Sequence, residues 1–63
     1  MEEMTPAEFH DARQRLGYTL REMAEALGIT LTSVWRKEND RQPVTERDAR
    51  AVQMMVAHLG RRG

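Results

Sequence analysis

The chain has 63 residues, with ten Lys and Arg balanced by ten Asp and Glu, and no cysteine. A chain of this length forms one domain without a large core, and the missing cysteines remove disulfides, thiolate metal sites and cysteine nucleophiles together. No apolar run approaches the roughly 20 residues of a membrane span and no signal peptide is visible, so a cytoplasmic protein is expected.

Residues 1–4 read as a loose leader and residues 60–63 as a loose basic tail, framing one domain over 1–63. Thr5-Pro6-Ala7-Glu8 is the strongest local signal. It joins an N-cap threonine, a proline at the first helical position and a glutamate that completes a capping box. Met4 and Phe9 are spaced as the hydrophobic staple of this first helix. It runs to about Leu16, with Phe9, Ala12 and Leu16 turned inward and Gly17 as its stop.

Thr19 and Glu22 repeat the capping box, with Tyr18 and Met23 as the staple. Met23, Ala24 and Leu27 give the second helix an apolar face. Gly28 ends it, because glycine takes the left-handed turn without steric cost. Thr30 then caps a third helix over roughly Leu31 to Asn39, with Ile29 and Val34 as its staple. Two short helices around a glycine turn make a helix-turn-helix. On a helical wheel Val34 and Glu38 share one side of the third helix, while Thr32, Ser33 and Arg36 point mostly away.

The stretch LGYTLREMAEALGITLTSVWRKE resembles the helix-turn-helix of phage Cro and repressor-type regulators, the XRE class. The resemblance covers about Phe9 to Pro43 and rests on Ala24, Gly28, Ile29 and Val34. In that family these positions supply a small residue at the helix crossing, the start of the turn and two inward apolar side chains. It implies an all-α fold, a compact four-helix bundle of lambda repressor-like type with the helix-turn-helix at its centre. It also implies sequence-specific binding of double-stranded DNA, with the third helix in the major groove.

The resemblance points to Thr30, Leu31, Thr32 and Arg36 as base contacts. A guanidinium such as that of Arg36 can bond both acceptors of a guanine. Thr19 and Arg21 at the start of the second helix, Ser33, and Arg41 after the third are the phosphate candidates, since helix N-termini and arginines favour anions. Leu20 stands where relatives usually carry a glutamine. Arg13 and Glu38 match an ion pair that ties the first helix to the third. Lys37 occupies a site that is usually apolar and inward, so its methylene stem is expected to cover the core while the ammonium reaches out. Trp35 is then expected to take over packing against the loop and the last helix, the alternative being contact with the DNA sugar-phosphate backbone.

Asp40-Arg41-Gln42-Pro43 is a polar loop, since the proline pushes Gln42 out of helical geometry. Thr45 caps the fourth helix with Asp48 at the box position, and the helix is expected to run through Leu59 to a stop at Gly60. Ala49, Val52, Val56 and Leu59 form its inward stripe, with Met55 at the edge. Ala51, Met54, Met55 and His58 form a surplus that is expected to pair two copies of the chain. Residues 1–30 carry a charge of −3 and residues 31–63 a charge of +3, so the basic half begins at the expected reading helix.

No metal-ligand spacing, glycine-rich phosphate loop or nucleophile elbow is present. His10 and His58 read as surface residues, and neither a cofactor nor a small-molecule substrate is expected. The expected function is that of a small homodimeric regulator on an inverted-repeat operator, an autoregulating repressor of phage or mobile-element type without room for a ligand-sensing domain. The rival is an antitoxin or small adaptor whose acidic N-terminal half binds a protein.

Overall fold

Each helix among the described residues is capped by the threonine just before it. The computed structural model describes residues 4–59, which form α1 (Pro6–Leu16), α2 (Leu20–Leu27), α3 (Leu31–Glu38) and α4 (Glu46–Leu59), with no strand among them. Thr5 and Thr19 form complete capping boxes with Glu8 and Glu22. Thr45 does the same with Asp48, through two bonds of 3.1 Å. Thr30 accepts from the Ser33 amide, also at 3.1 Å, but a serine at that position has no carboxylate to return the bond. Each cap satisfies an amide that the helix itself leaves orphaned.

Two glycines separate the first three helices. Gly17 and Gly28 sit at φ 73° and 71°, and their amides close α1 and α2 by bonding carbonyls of the last turn. A Cβ at either position would meet nothing within 4 Å. Glycine is needed there for the left-handed backbone and not for space.

The core takes one fully buried large side chain from each helix: Phe9, Met23, Val34 and Val52. Ala12, Ala24 and Val44 fill in around them. α2 packs on α3, and α1 packs on both α3 and α4. Tyr18, Leu20, Leu27, Ile29, Met55 and Val56 close the core from its edges. Met4 also packs against it, so this residue acts as the staple for Phe9 and is not part of a loose leader. The expected stop at Gly60 and the loose ends over 1–3 and 60–63 lie outside the described residues.

Three expectations for packing need correction. Leu59 is 37% exposed and so leaves the inward stripe of α4. Trp35 is 46% exposed and is not among the buried and half-buried side chains that build the core. Lys37 is 3% exposed, and its ammonium turns inward instead of reaching out. The vacancy that Trp35 was expected to fill is therefore filled by Lys37 and its partners.

Candidate nucleic-acid interface

Helix α3 presents one continuous outward face. At about 100° per residue, Leu31, Trp35, Thr32 and Arg36 follow one another around an arc of about 140°. All four are exposed, whereas Val34 and Lys37 on the opposite side are buried. The last helix does not cover this face. Trp35 belongs to it, although its role was sought in packing. The signal was available in the spacing, because Trp35 lies four residues after Leu31 and one before Arg36.

Thr30 is also exposed, but its hydroxyl is committed locally. It accepts from the Ser33 amide and donates to the Ser33 hydroxyl oxygen at 3.0 Å. The Ser33 hydroxyl keeps its own proton and can donate it outward, which suits a phosphate better than a base edge.

Two ionic clamps hold α3 from behind. In the first, Arg13 of α1 donates Nε to Glu38 Oε2 at 2.6 Å and Nη2 to Oε1 at 3.2 Å. Nη1 of the same arginine donates to the Tyr18 carbonyl at 2.8 Å. One guanidinium thus fixes the end of α3 to α1 and to the residue just before the Thr19 cap. His10 joins through Nδ1 to Glu38 Oε1 at 2.7 Å. A carboxylate only accepts, so Nδ1 carries the proton, and the 3.4 Å approach of Arg13 Nη2 to it sets two donors side by side. His10 was read as a plain surface residue; it is exposed, yet it belongs to this cluster.

In the second clamp, Lys37 donates Nζ to Asp48 Oδ2 at 2.5 Å and to the Pro43 carbonyl at 3.0 Å. That same Asp48 oxygen accepts from the Thr45 amide. The cap of α4 and the back of α3 therefore share one carboxylate. No local sequence pattern announces this pair, because residues 37 and 48 meet only through the folded loop between them.

Burial is the largest influence on both carboxyls and opposes their ionisation. It is outweighed at Glu38 by the hydrogen bonds and charges of Arg13 and His10. At Asp48 it is outweighed by the bonds from Lys37 and Thr45 and the charge of Lys37. Both carboxyls are held below their ordinary values, and both stay ionised. Among the described residues no buried side-chain nitrogen or oxygen lacks a partner.

The other expected anion contacts lie at the ends of elements. Arg21 and Thr19 are exposed at the start of α2. The Thr19 amide already donates to the Glu22 carboxylate at 2.8 Å, and the Glu22 amide to the Thr19 hydroxyl. This leaves the first-turn amides of Leu20 and Arg21 as the free donors. Arg41 is exposed just after α3, where Asp40 turns the chain at φ 58°. Its amide bonds the Arg36 carbonyl at 2.8 Å, which keeps Arg41 at the end of the outward-facing helix.

The residues expected to pair two copies, Ala51, Met54, Met55 and His58, follow one another along one side of α4. Met54, Met55 and His58 line an open groove of about 620 Å³ with Leu16, Tyr18 and Leu59. Met54 is 73% exposed there, whereas Met55 is half-buried against the core. Ala51 lines a separate crevice with Leu27, Gly28, Ile29, Arg47 and Asp48. Among the described residues no helix is long and apolar enough to cross a membrane.

A family model described as a helix-turn-helix domain matches residues 7–61. No curated protein matches the chain.

Proposed function

Because the chain belongs to the helix-turn-helix domain family, and so to a class of DNA-binding regulators, we propose that it is a sequence-specific regulator of Cro/repressor (XRE) type. The single observation that carries this reading is the uncovered outward face of α3, with Thr32 and Arg36 exposed and the helix clamped from behind by Arg13–Glu38 and Lys37–Asp48. A major groove admits a helix presented in this way. Arg36 meets a guanine and Thr32 an adjacent base edge. Thr30 and Leu31 contribute through methyl groups. The Ser33 hydroxyl, the α2 N-terminus at Thr19 and Arg21, and Arg41 hold phosphates and set the register.

The protein works as a homodimer that sets two copies of α3 about 34 Å apart on an inverted repeat. Met54, protruding beside the groove with Leu16, Tyr18 and Leu59, supports pairing through this end of α4. Among the described residues the groove lining carries no Asp, Glu, Lys or Arg, which suits a two-fold contact. Occupancy of the operator blocks transcription, and the protein's own promoter is the expected target.

Binding to the chain's own upstream DNA and to random duplex tests the reading, with wild type against Arg36→Ala. A recognition role predicts that the variant loses about 1–3 kcal/mol of the discrimination between the two. Uniform weakening on both would reassign Arg36 to phosphate. Equal binding of the wild type to both duplexes would remove sequence specificity. A monomeric mass in light scattering at tens of micromolar would remove the dimer.

A further inference from the structure

The outward face of α3 carries two kinds of chemistry side by side. Thr32 and Arg36 are polar, one turn apart. Leu31 and Trp35 are apolar, also one turn apart, and about 40° around the helix from each other. Leu31 is 40% exposed and Trp35 46%, although a tryptophan is usually well covered. Neither is among the buried and half-buried side chains that build the core. Trp35 is also held in place, because it lies between Val34, which is fully buried, and Arg36, whose carbonyl bonds the Arg41 amide. A rigid helix fixed by two ionic clamps thus displays an exposed apolar ledge beside an arginine.

Resting on the DNA-binding reading above, we propose that Trp35 and Leu31 together select thymine, by packing against its 5-methyl group next to the base met by Arg36. The argument is one of chemical complementarity. A DNA backbone offers anions and sugars, which an arginine or a hydroxyl grips better than an indole. The major-groove edges offer one apolar group, the thymine methyl. An apolar ledge on the same arc as Arg36 faces those edges whenever Arg36 does. Specificity is then shared. Arg36 supplies a hydrogen-bonded contact to a purine, and the ledge supplies a contact that depends on a single methyl.

The test begins with selection of a preferred duplex from a random pool by the full chain. Each thymine of that duplex is then replaced in turn by deoxyuridine, which removes the methyl and leaves every hydrogen-bonding group in place. Wild type is expected to lose about 4-fold in affinity at one or two positions per half-site, the factor for burying one methyl-sized group. Trp35→Ala and Leu31→Ala are expected to bind thymine and uracil duplexes equally at those positions, and Arg36→Ala to keep the methyl dependence. Circular dichroism and thermal unfolding show that the variants fold; their sites are exposed, so unfolding temperatures close to wild type are expected.

Uracil substitution that is neutral at every position overturns the inference and leaves the DNA-binding reading standing. A methyl penalty that survives Trp35→Ala, with that variant weakened equally on all duplexes, also overturns it and assigns the indole to the sugar-phosphate backbone. Failure of the wild type to prefer any duplex overturns the reading on which the inference rests.

Discussion

On the inward side of α3, Val34 and Lys37 are buried and Glu38 is bonded to two side chains of α1. On the outward side, one or two residues away in sequence, Leu31, Thr32, Trp35 and Arg36 are exposed. Seven of the eight residues of α3 therefore divide into a set that the fold uses and a set that it leaves alone. The inward set carries charge as well as apolar surface. That arrangement has a consequence for precision: a salt-bridged helix has one geometry in which its donors and acceptors all pair, whereas a purely apolar helix can slide. Two clamps on successive residues at the C-terminal end of α3, one to α1 and one to the start of α4, restrict both rotation and translation of the outward face. Whether these buried pairs add net stability is a separate matter, since desolvation offsets much of their attraction.

The largest effect is expected where one member of a clamp is removed. Lys37→Ala strips a buried ammonium from Asp48 and leaves that carboxylate uncompensated, at a cost of about 3–5 kcal/mol. In a domain of this size that is enough to unfold a large fraction of molecules at ambient temperature. The double variant Lys37→Met with Asp48→Asn removes both charges, keeps an acceptor for the Thr45 amide, and is expected to recover most of the loss in thermal unfolding. If the double variant were as unstable as the single one, the pair would matter for its shape and not for its charge balance.

A pH series separates the two faces by a different route. Glu38 and Asp48 have carboxyls held below their ordinary values in the folded protein. The unfolded chain therefore takes up their protons first as pH falls. Their contribution is fully present above the unfolded carboxylate range and is lost as pH drops through the lower folded values. Urea midpoints between pH 7 and pH 3 are expected to fall, with the steepest decline below about pH 4, near the ordinary carboxylate values. Glu38→Gln and the Lys37→Met/Asp48→Asn variant are each expected to flatten that decline, whereas Arg36→Ala leaves it unchanged. An identical decline in all of them would place the acid sensitivity elsewhere.

Loss of a single cap is a smaller perturbation, and it falls on the boundary between the faces. Thr30 caps α3 with its hydroxyl and reaches no further into the core. Thr30→Ala is expected to cost about 1 kcal/mol of stability, read as a lower unfolding temperature. Preference for the operator should survive in Thr30→Val, which keeps the methyl and removes only the hydroxyl spent on Ser33. Loss of preference without loss of stability would instead assign the hydroxyl to a base.

What could be read in advance follows the range of the interactions. Caps, staples and glycine stops act over three to five residues, so helix boundaries at Thr5, Thr19, Thr30 and Thr45 were legible as spacing. The Arg13–Glu38 pair spans 25 positions and was reached through the resemblance to a known class, not through local pattern. Lys37 and Trp35 show where the reading failed. The resemblance made site 37 an inward one, and the lysine's charge sent its ammonium outward and the packing role to the indole. The structure instead turns the ammonium inward and leaves the indole exposed. The reversal depends on Asp48 and the Pro43 carbonyl arriving behind α3, which no window on α3 contains. The helical wheel held the correction for Trp35, since a residue four after Leu31 shares its face whatever its polarity.

The smallest differences in sequence preference are expected at the phosphate candidates, and they sharpen the comparison by a property that the outward face of α3 lacks. Arg21 and Arg41 lie at element ends, are exposed, and make no side-chain ion pair among the described residues. Arg21→Ala and Arg41→Ala should leave the unfolding temperature within experimental scatter and weaken binding to specific and random duplex by the same factor. Each should also lower the slope of log affinity against log salt by about 1, because each removes roughly one released counterion. Arg36→Ala differs in kind, since a contact to a base edge changes preference without a matching change in slope on random DNA. A salt slope unchanged in Arg21→Ala would mean that the start of α2 does not lie on the backbone. The Glu22 carboxylate, one residue on and bonded to the Thr19 amide, would then be the reason, since it presents like charge to a phosphate at that helix end.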